Sequence, residues 1–397
     1  MSKTIKSNHI EKLVFGGKGL TRIEGQVTFV PFSAPGDEVI LKVTKKKKDY
    51  QLASIDQILK EGPERIFPKC PHYQTCAGCQ MQHLSYQGQL EAKVQFIQEA
   101  LRVDNVSITP SPNEWGYRSH IRLNLAKESK GFKMGYIGWD NRTLITPSIC
   151  PLFLEDSTFF QTLAKALLTL PNEGIKSASL RIFKQERKIY LAFSTFPSLP
   201  KSLLAFPFAE AVAYKSPGKE RKIGTFPFSP YGFMQSNKEV TEKIDQTLLE
   251  NIGPTPKKIL DLYCGAGRIA LQLGDLGHRV IGVEANSSLI PHSEKVKFIC
   301  SRVETALPTL LKTFTPDLII VNPPRTGLTK EILPYLKAPQ MFYLSCMPST
   351  LGRDIERLSH YYTLQWVKAF DMFPQTTHVE TLVKLYHPSP HDFLTKK

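Results

Sequence analysis

Lys258-Ile-Leu-Asp-Leu-Tyr-Cys-Gly-Ala-Gly267 decides how the second half of the chain folds. Its apolar run at 259–262 leads straight into a glycine-rich turn, and a helix-forming stretch follows. Glycines at such a turn let the backbone bend tightly and approach a ligand at a helix N-terminus. The next apolar run, Val280-Ile-Gly-Val-Glu284, ends in an acid. A carboxylate there can accept both ribose hydroxyl protons of an adenosine, and on these two features NAD fits as well as other adenosine cofactors. Outward from this stretch, residues 239–250 read as a helix, and 280–284, 317–321 and 341–345 as buried parallel strands. Alternation of this kind predicts a doubly wound α/β domain.

The feature that separates the cofactors is Asp317-Leu-Ile-Ile-Val-Asn322-Pro-Pro-Arg325. It resembles the substrate-facing loop of class I methyltransferases, where Asp or Asn precedes Pro-Pro. The prolines remove backbone donors and stiffen the loop. Asn322 then stands at the C-terminal edge of the sheet, where open α/β sheets bind ligands. The plainer reading is a strand closed off by two prolines. Cys346, in Tyr343-Leu-Ser-Cys-Met-Pro-Ser-Thr-Leu-Gly-Arg-Asp354, lies at a strand end on the same expected edge. A lone cysteine is by default a small buried hydrophobe, and Cys264 and Cys300 read that way.

The first 240 residues have a different texture. Residues 1–60 carry short β-prone runs at 26–32, 38–44 and 50–58, split by turn signals at Gly16-Gly17, Gly25 and Pro35-Gly36-Asp37. That pattern predicts a small OB-like β-barrel. The four lysines at 45–48 suit an RNA backbone, though a solvated hairpin tip explains them as simply. Residues 61–235 form an expected central α+β domain with a cysteine cluster. Within it, 86–103 reads as a helix with Leu90, Val94, Ile97 and Leu101 at helical spacing, and 106–225 as an antiparallel sheet with strands near 120–126, 133–138, 179–183 and 188–194. Residues 236–397 are the expected Rossmann-like domain.

The chain has 397 residues, enough for two or three domains. Hydrophobic residues at 41% and charged residues at 22% suit a globular protein. A net charge of +15 and a pI near 9.3 favour an anionic polymer as partner, because each neutralised phosphate releases counterions. The N-terminus lacks a signal-peptide core, and no stretch nears the roughly 20 apolar residues that span a bilayer. A cytoplasmic protein without membrane association is expected. Seven cysteines, an odd number, argue for metal binding or catalysis rather than a disulfide framework. Cys70, Cys76 and Cys79 are spaced C-x5-C-x2-C, and Cys150 in Ile149-Cys-Pro151 is the candidate fourth ligand. Four thiolates suit zinc or an iron–sulfur cluster, and spacing does not separate the two.

Taken together, the chain resembles the RNA uracil-5 methyltransferase family, and most closely its iron–sulfur branch acting on large-subunit (23S) ribosomal RNA. The resemblance runs from Gly17-Lys-Gly-Leu-Thr-Arg22 and Phe29-Val-Pro-Phe-Ser-Ala-Pro-Gly-Asp37, similar to a TRAM barrel, through Cys70-Pro-His-Tyr-Gln-Thr-Cys-Ala-Gly-Cys79-Gln-Met-Gln-His83. It continues through Gly232-Phe-Met-Gln-Ser-Asn237 and the motifs quoted above to Asp371-Met-Phe-Pro-Gln-Thr-Thr-His-Val-Glu380. It implies that Gln235, Tyr263, Glu284 and Asn322 line an S-adenosylmethionine pocket. It implies that Cys346 is the nucleophile and Glu380 the proton acceptor, with His378 in reserve. A [4Fe–4S] cluster on the four cysteines, packing of helix 86–103 on the catalytic domain, and a monomer acting on ribosomal RNA (transfer RNA as runner-up) complete the expectation. The chemistry suits the residues. C5 of uracil is a poor nucleophile until a soft thiolate adds to C6, and a base must then remove the C5 proton.

One departure stands out. The family usually has Asp before Pro-Pro-Arg, and this chain has Asn322, which keeps hydrogen-bonding capacity and loses charge. Asn-Pro-Pro followed by an aromatic marks methyltransferases of planar amino groups. Arg325 occupies the aromatic's place, and N-methylation has no use for Cys346 and Glu380. The competing readings are therefore an N-methyltransferase and an RNA-binding module without catalysis.

Overall fold

The computed structural model describes residues 4–170, 175, 178–196, 208–216, 219–232 and 234–387. Phe233 of the Gly232–Asn237 motif and the tail beyond 387 lie outside the described residues. The chain forms two compact units. One comprises Met1–Ala92, Asn113–Lys238 and Pro374–Thr377; the other comprises Lys93–Pro112, Glu239–Phe373 and His378–Lys397.

The first unit begins with six strands: β1 (Thr4–His9), β2 (Lys12–Val14), β3 (Lys18–Ile23), β4 (Gln26–Pro31), β5 (Glu38–Lys46) and β6 (Gln51–Lys60). They pair in the order β1-β5-β6-β4-β3-β2. Three register shifts between β5 and β6 bend the sheet, as bulges do. It curls over Ile10, Ile23, Val30, Val39, Leu41 and Ala53. The buried Asp37 carboxylate ties the turn before β5 to the chain after β6. It accepts from Ala34 N (2.6 Å), Gly62 N (2.9 Å) and Arg65 Nε (2.9 Å). The lysines at 45–48 are exposed at the end of β5 and in the turn to β6. Next in the chain come helix α1 (Tyr86–Leu101) and strand β7 (Ser107–Thr109), the latter part of the second unit.

A seven-stranded sheet follows, built from β8 (His120–Lys127), β9 (Phe132–Ile137), β10 (Leu144–Ile145), β11 (Ala178–Gln185), β12 (Lys188–Ser194), β13 (Ala209–Ser216) and β14 (Lys219–Ile223). Its order is β10-β9-β8-β11-β12-β13-β14. Helix α2 (Ser157–Leu168) buries Phe159, Phe160, Leu163 and Leu167. They join an apolar cluster with sheet residues such as Leu123, Leu180 and Leu191. The Asp156 side chain caps its start by accepting from Phe159 N at 3.1 Å. The sheet is mixed, which corrects the all-antiparallel expectation: β12 and β13 run parallel. A parallel pair needs a crossover rather than a hairpin; residues 197–207, between the two strands, lie outside the described residues.

The second unit is a sheet with helices on its faces. Its remaining strands are β15 (Lys258–Leu262), β16 (Arg279–Glu284), β17 (Val296–Cys300), β18 (Leu318–Val321), β19 (Gln340–Ser345), β20 (Thr363–Phe370) and β21 (Glu380–Tyr386). Its α-helices are α3 (Lys238–Ile252), α4 (Arg268–Asp275), α5 (Val303–Leu310) and α6 (Pro348–Leu358). The strand order is β17-β16-β15-β18-β19-β21-β20-β7. The first five are parallel, and β21 is antiparallel to both β19 and β20. β18 is Leu-Ile-Ile-Val throughout, β15 and β16 are rich in Ile, Leu and Val, and β19 buries Met341, Phe342, Tyr343 and Leu344, apolar runs expected when both faces are covered. One face packs on Leu307, Leu351 and Leu358 of the helices, with Ile97 of α1. The other packs on Val240, Ile244, Leu248 and Leu273. The order reverses between β15 and β18, which makes their C-terminal ends the switch point where such sheets bind ligands.

Candidate active site

Two loops of the second unit flank that switch point. After β15, Tyr263 stands at φ +60° and Gly267 at φ +69°, so the chain folds back sharply before α4. A Cβ on Gly267 would stand 2.5 Å from the Phe298 ring, whereas one on Gly265 would meet nothing within 4 Å. Gly267 is thus demanded by packing and φ, and the backbone at Gly265 is left open to a ligand. Glu284, at the end of β16, reaches across to this loop. Its carboxylate accepts from Gly265 N at 3.0 Å and from Asn286 N at 2.8 Å. Beneath the loop, burial lifts the Asp261 carboxyl to about 7, while a backbone hydrogen bond from Ala270 opposes the rise. The half-buried Tyr263 directs its hydroxyl to Glu304 (3.5 Å).

The second loop follows β18. Asn322 is exposed, its backbone N donating to Leu262 O at 3.2 Å. Pro323 is buried; Pro324 and Arg325 are exposed.

The register of β19 and β21 sets the third feature. Ser345 pairs with Thr381, so Cys346 and Glu380 are the next residues to leave that antiparallel pair, on opposing strands. Cys346 is half-buried. It precedes α6, which has Met347 as N-cap and Pro348 in its first turn. Burial raises its thiol above the ordinary range and the Glu380 carboxylate raises it further, while the Arg325 guanidinium, hydrogen-bonded to the thiol, pulls it down. Burial pushes Glu380 up to about 7, with Arg325 opposing. One cation therefore serves both the thiol and the carboxyl. His378 lies two residues before Glu380, edge-on to Phe373 with ring centroids 6.0 Å apart.

The structure brings Cys346, Glu380, Asn322, Glu284 and Tyr263 onto the C-terminal edge of one sheet. Gln235 belongs to the other unit, where its carbonyl accepts from Ser119 Oγ at 3.0 Å. Arg325 had no assigned role in the sequence reading. The available signal was its position directly after Pro-Pro, on the loop already expected to face the substrate.

Cys70, Cys76, Cys79 and Cys150 all lie in the first unit as free, half-buried thiols. They are close enough to act on one another electrically. Burial first, and then neighbouring thiols including Cys150, push Cys76 up to about 11 and Cys79 up to about 12. Two donors point at sulfur: Gly78 N at Cys76 Sγ (3.4 Å) and the Tyr136 hydroxyl at Cys150 Sγ (3.5 Å). Among the described residues, no group of three or more His, Cys, Asp or Glu side chains is arranged to hold a metal ion. Also among them, no helix is long and apolar enough to cross a membrane.

Comparisons with known proteins agree on the class of fold and chemistry. Residues 301–387 match the family model described as tRNA (uracil-5-)-methyltransferase. Residues 7–63 match the TRAM domain of tRNA (uracil(54)-C(5))-methyltransferase. An uncharacterized RNA methyltransferase of Protochlamydia amoebophila is 37% identical, with 95% of this chain and 96% of that protein covered. One from Halalkalibacterium halodurans is 29% identical, with 95% of each covered. Among solved structures, the tRNA (uracil-54, C5)-methyltransferase of Pyrococcus abyssi in complex with S-adenosyl-L-homocysteine superposes with a TM-score of 0.74. It is 23% identical, with 95% of this chain and 100% of that one covered.

Proposed function

The chain belongs to the RNA uracil-5 methyltransferase family with an N-terminal TRAM domain, an S-adenosylmethionine-dependent family, and from that premise we propose that it methylates C5 of a uridine through a covalent bond to Cys346. The observation that carries the reading is the grouping of Cys346, Glu380 and Arg325 at the ends of β19, β21 and β18. S-adenosylmethionine, when bound, supplies an electrophilic methyl group. The residues to hold it are those beside the switch point: the open backbone at Gly265, Glu284 for the ribose hydroxyls, and Tyr263 and Asn322 flanking. Gln235 is a proposed cofactor contact on the resemblance alone.

Arg325 favours the thiolate of Cys346 over the thiol. The thiolate adds to C6 of uracil, a C–S bond forms, and the electron pair moves to the C4–C5–O4 enolate. C5 takes the methyl group, whose bond to the donor's sulfonium would break to leave S-adenosylhomocysteine. Glu380, ionised, then takes the C5 proton, the C5–C6 double bond re-forms and Cys346 departs as thiolate. Burial suits Glu380 to that task, because a base whose pKa lies near the working pH is most effective. Asn322 offers its side-chain amide to this edge without the charge an aspartate would bring.

We place the target in 23S ribosomal RNA, on the combination of a TRAM domain with four cysteines. The second reading is transfer RNA, which the descriptions of the two matching family models favour. We further propose a [4Fe–4S] cluster on Cys70, Cys76, Cys79 and Cys150. Four thiols close enough to act on one another, with an N–H donor on Cys76 and an O–H donor on Cys150, support it. A single zinc ion would need its sulfurs within about 4 Å of one another, whereas each cysteine of a four-iron cube binds a different iron and the sulfurs stand wider apart. The cluster would cross-link distant loops of the first unit. Protein purified without oxygen should carry about four iron and four sulfide per chain, and Cys79→Ser should lose them. Iron-free protein with unchanged thermal stability would remove the cluster from the account.

Release of tritium from [5-³H]uridine-labelled RNA tests the reaction. Transfer without tritium release would move the methyl group to another atom. Mapping of 5-methyluridine in cells with and without the gene separates ribosomal from transfer RNA.

A further inference from the structure

Asp354, on α6, has a fully buried side chain and draws donors from three elements. Its Oδ2 accepts from the backbone N of Leu328 (2.6 Å) and from the hydroxyl of Tyr343 on β19 (2.8 Å). Its Oδ1 accepts from Nε (2.9 Å) and Nη2 (2.7 Å) of Arg353, with Arg357 Nη1 at 3.4 Å. Arg353 Nη2 also donates to the carbonyl of Thr326 at 2.7 Å. Asp354 and Arg353 thus hold the N–H on one side of Gly327 and the C=O on the other. Gly327 itself has φ +75°, and a Cβ there would fall 2.2 Å from Asp354 Oδ2 and 2.5 Å from Arg353 Nη2. The loop is pressed against the pair so closely that only glycine fits.

This loop carries Asn322 and Arg325. Asp354 ties this loop to the elements that flank the nucleophile: its partner Tyr343 lies on β19, which ends just before Cys346, and α6, which carries Asp354 and Arg353, begins just after it. Arg325 is exposed, so its own side chain is not packed into place. We propose that Asp354 and Arg353 form a clamp that positions Arg325 against the Cys346 thiol and the Glu380 carboxyl. They are positioning residues, acting through the backbone at 326–328 rather than on substrate. The role builds on the reading of Cys346 as nucleophile.

The test reads the thiol itself, without RNA or methyl donor. Alkylation of Cys346 by iodoacetamide is followed against pH by peptide mass spectrometry in the full chain. The groups facing the thiol are Glu380 and Arg325. Arg325→Gln should shift the profile to higher pH by about one unit, roughly a tenfold slower reaction at pH 8. Asp354→Asn and Arg353→Gln should each reproduce that shift, and Asp354→Asn combined with Arg325→Gln should add nothing further. Arg353 is partly exposed, 39% at its side chain, so Arg353→Gln decides the matter if Asp354→Asn does not fold. A native profile in folded Arg353→Gln, beside a shifted one in Arg325→Gln, overturns the clamp. So does an unshifted profile in Arg325→Gln. If the shifts appear but Cys346→Ala still methylates RNA, the clamp stands and the covalent reading falls.

Discussion

Glu380 is where residue chemistry makes the sharpest demand. Burial raises its carboxyl from the ordinary 4.5 to about 7, and as a base it must be ionised. Activity should therefore climb as pH rises through about 7. In Glu380→Gln, methyl transfer should proceed to a stalled covalent RNA–protein species, visible on a denaturing gel. The same shift has a thermodynamic face. A pKa raised on folding contributes stability that is whole below about 4.5 and is lost as pH rises through about 7. Glu380→Gln should accordingly match the native protein at pH 4 and exceed it at pH 8, by up to about 3 kcal/mol at 1.36 kcal/mol per pKa unit. Calorimetry at the two pH values checks this; equal melting temperatures at pH 8 would mean that the carboxyl is not strained by burial. Cys346 and Glu380 were singled out in the sequence because each lies in a motif of unusual composition, and the structure sets them opposite one another where β19 and β21 end their pairing. Arg325 and Asp354 were not assigned roles, because a guanidinium after Pro-Pro and an acid in a helix reveal their partners only when β18, β19 and α6 are side by side.

At the scale of elements, the second unit depends on a buried ion pair. Lys93 on α1 donates to Asp371 Oδ1 at 2.5 Å and to Phe373 O at 3.1 Å, and neither side chain of the pair is exposed. Asp371 follows β20, and its backbone N donates to Thr109 O of β7 at 2.9 Å. Burial lowers the Lys93 pKa and the Asp371 charge opposes it. Removing one partner leaves the other charged and buried, which costs about 3–5 kcal/mol. Lys93→Met should lower the melting temperature by that equivalent, and adding Asp371→Leu should recover most of it. Melting of Lys93→Met within a degree of the native protein would show that the pair is not holding this segment. Elements with a clear period were readable in the sequence: β15, β16, β18, β19 and α3 coincide with the expected runs to within three residues at either end. Strands without a named expectation include β1, β2 and β3, which are short or polar, the late strands β17, β20 and β21, and β7, a three-residue edge strand whose partner β20 lies some 260 residues further on. No local pattern encodes such a pairing.

At the scale of the whole molecule, a net charge of +15 makes binding to RNA an ionic event. Contacts to 6–10 phosphates would cost roughly 10³-fold or more in affinity between 50 and 200 mM salt. Filter binding across that range should give a steep linear log–log plot, and a flat one would mean that few phosphates are touched. The division into units was less legible than the motifs. The chain enters the second unit at Lys93, leaves it at Pro112 and returns to the first for Pro374–Thr377. Composition shifts mark long segments, not excursions of four residues. The four cysteines show the same limit: spacing grouped Cys70, Cys76 and Cys79, whereas the candidate Cys150 comes from a loop far away in sequence.

The central claim is a sulfur–carbon bond to the pyrimidine. Incubating the protein with S-adenosylmethionine and RNA in which uridine is replaced by 5-fluorouridine tests it most directly, because fluorine at C5 cannot leave as a cation and the intermediate is trapped. We predict a complex stable to denaturation, with the RNA fragment mapped by mass spectrometry to Cys346 and absent in Cys346→Ala. Efficient methylation of ordinary RNA by Cys346→Ala, or an adduct on another cysteine, would contradict it.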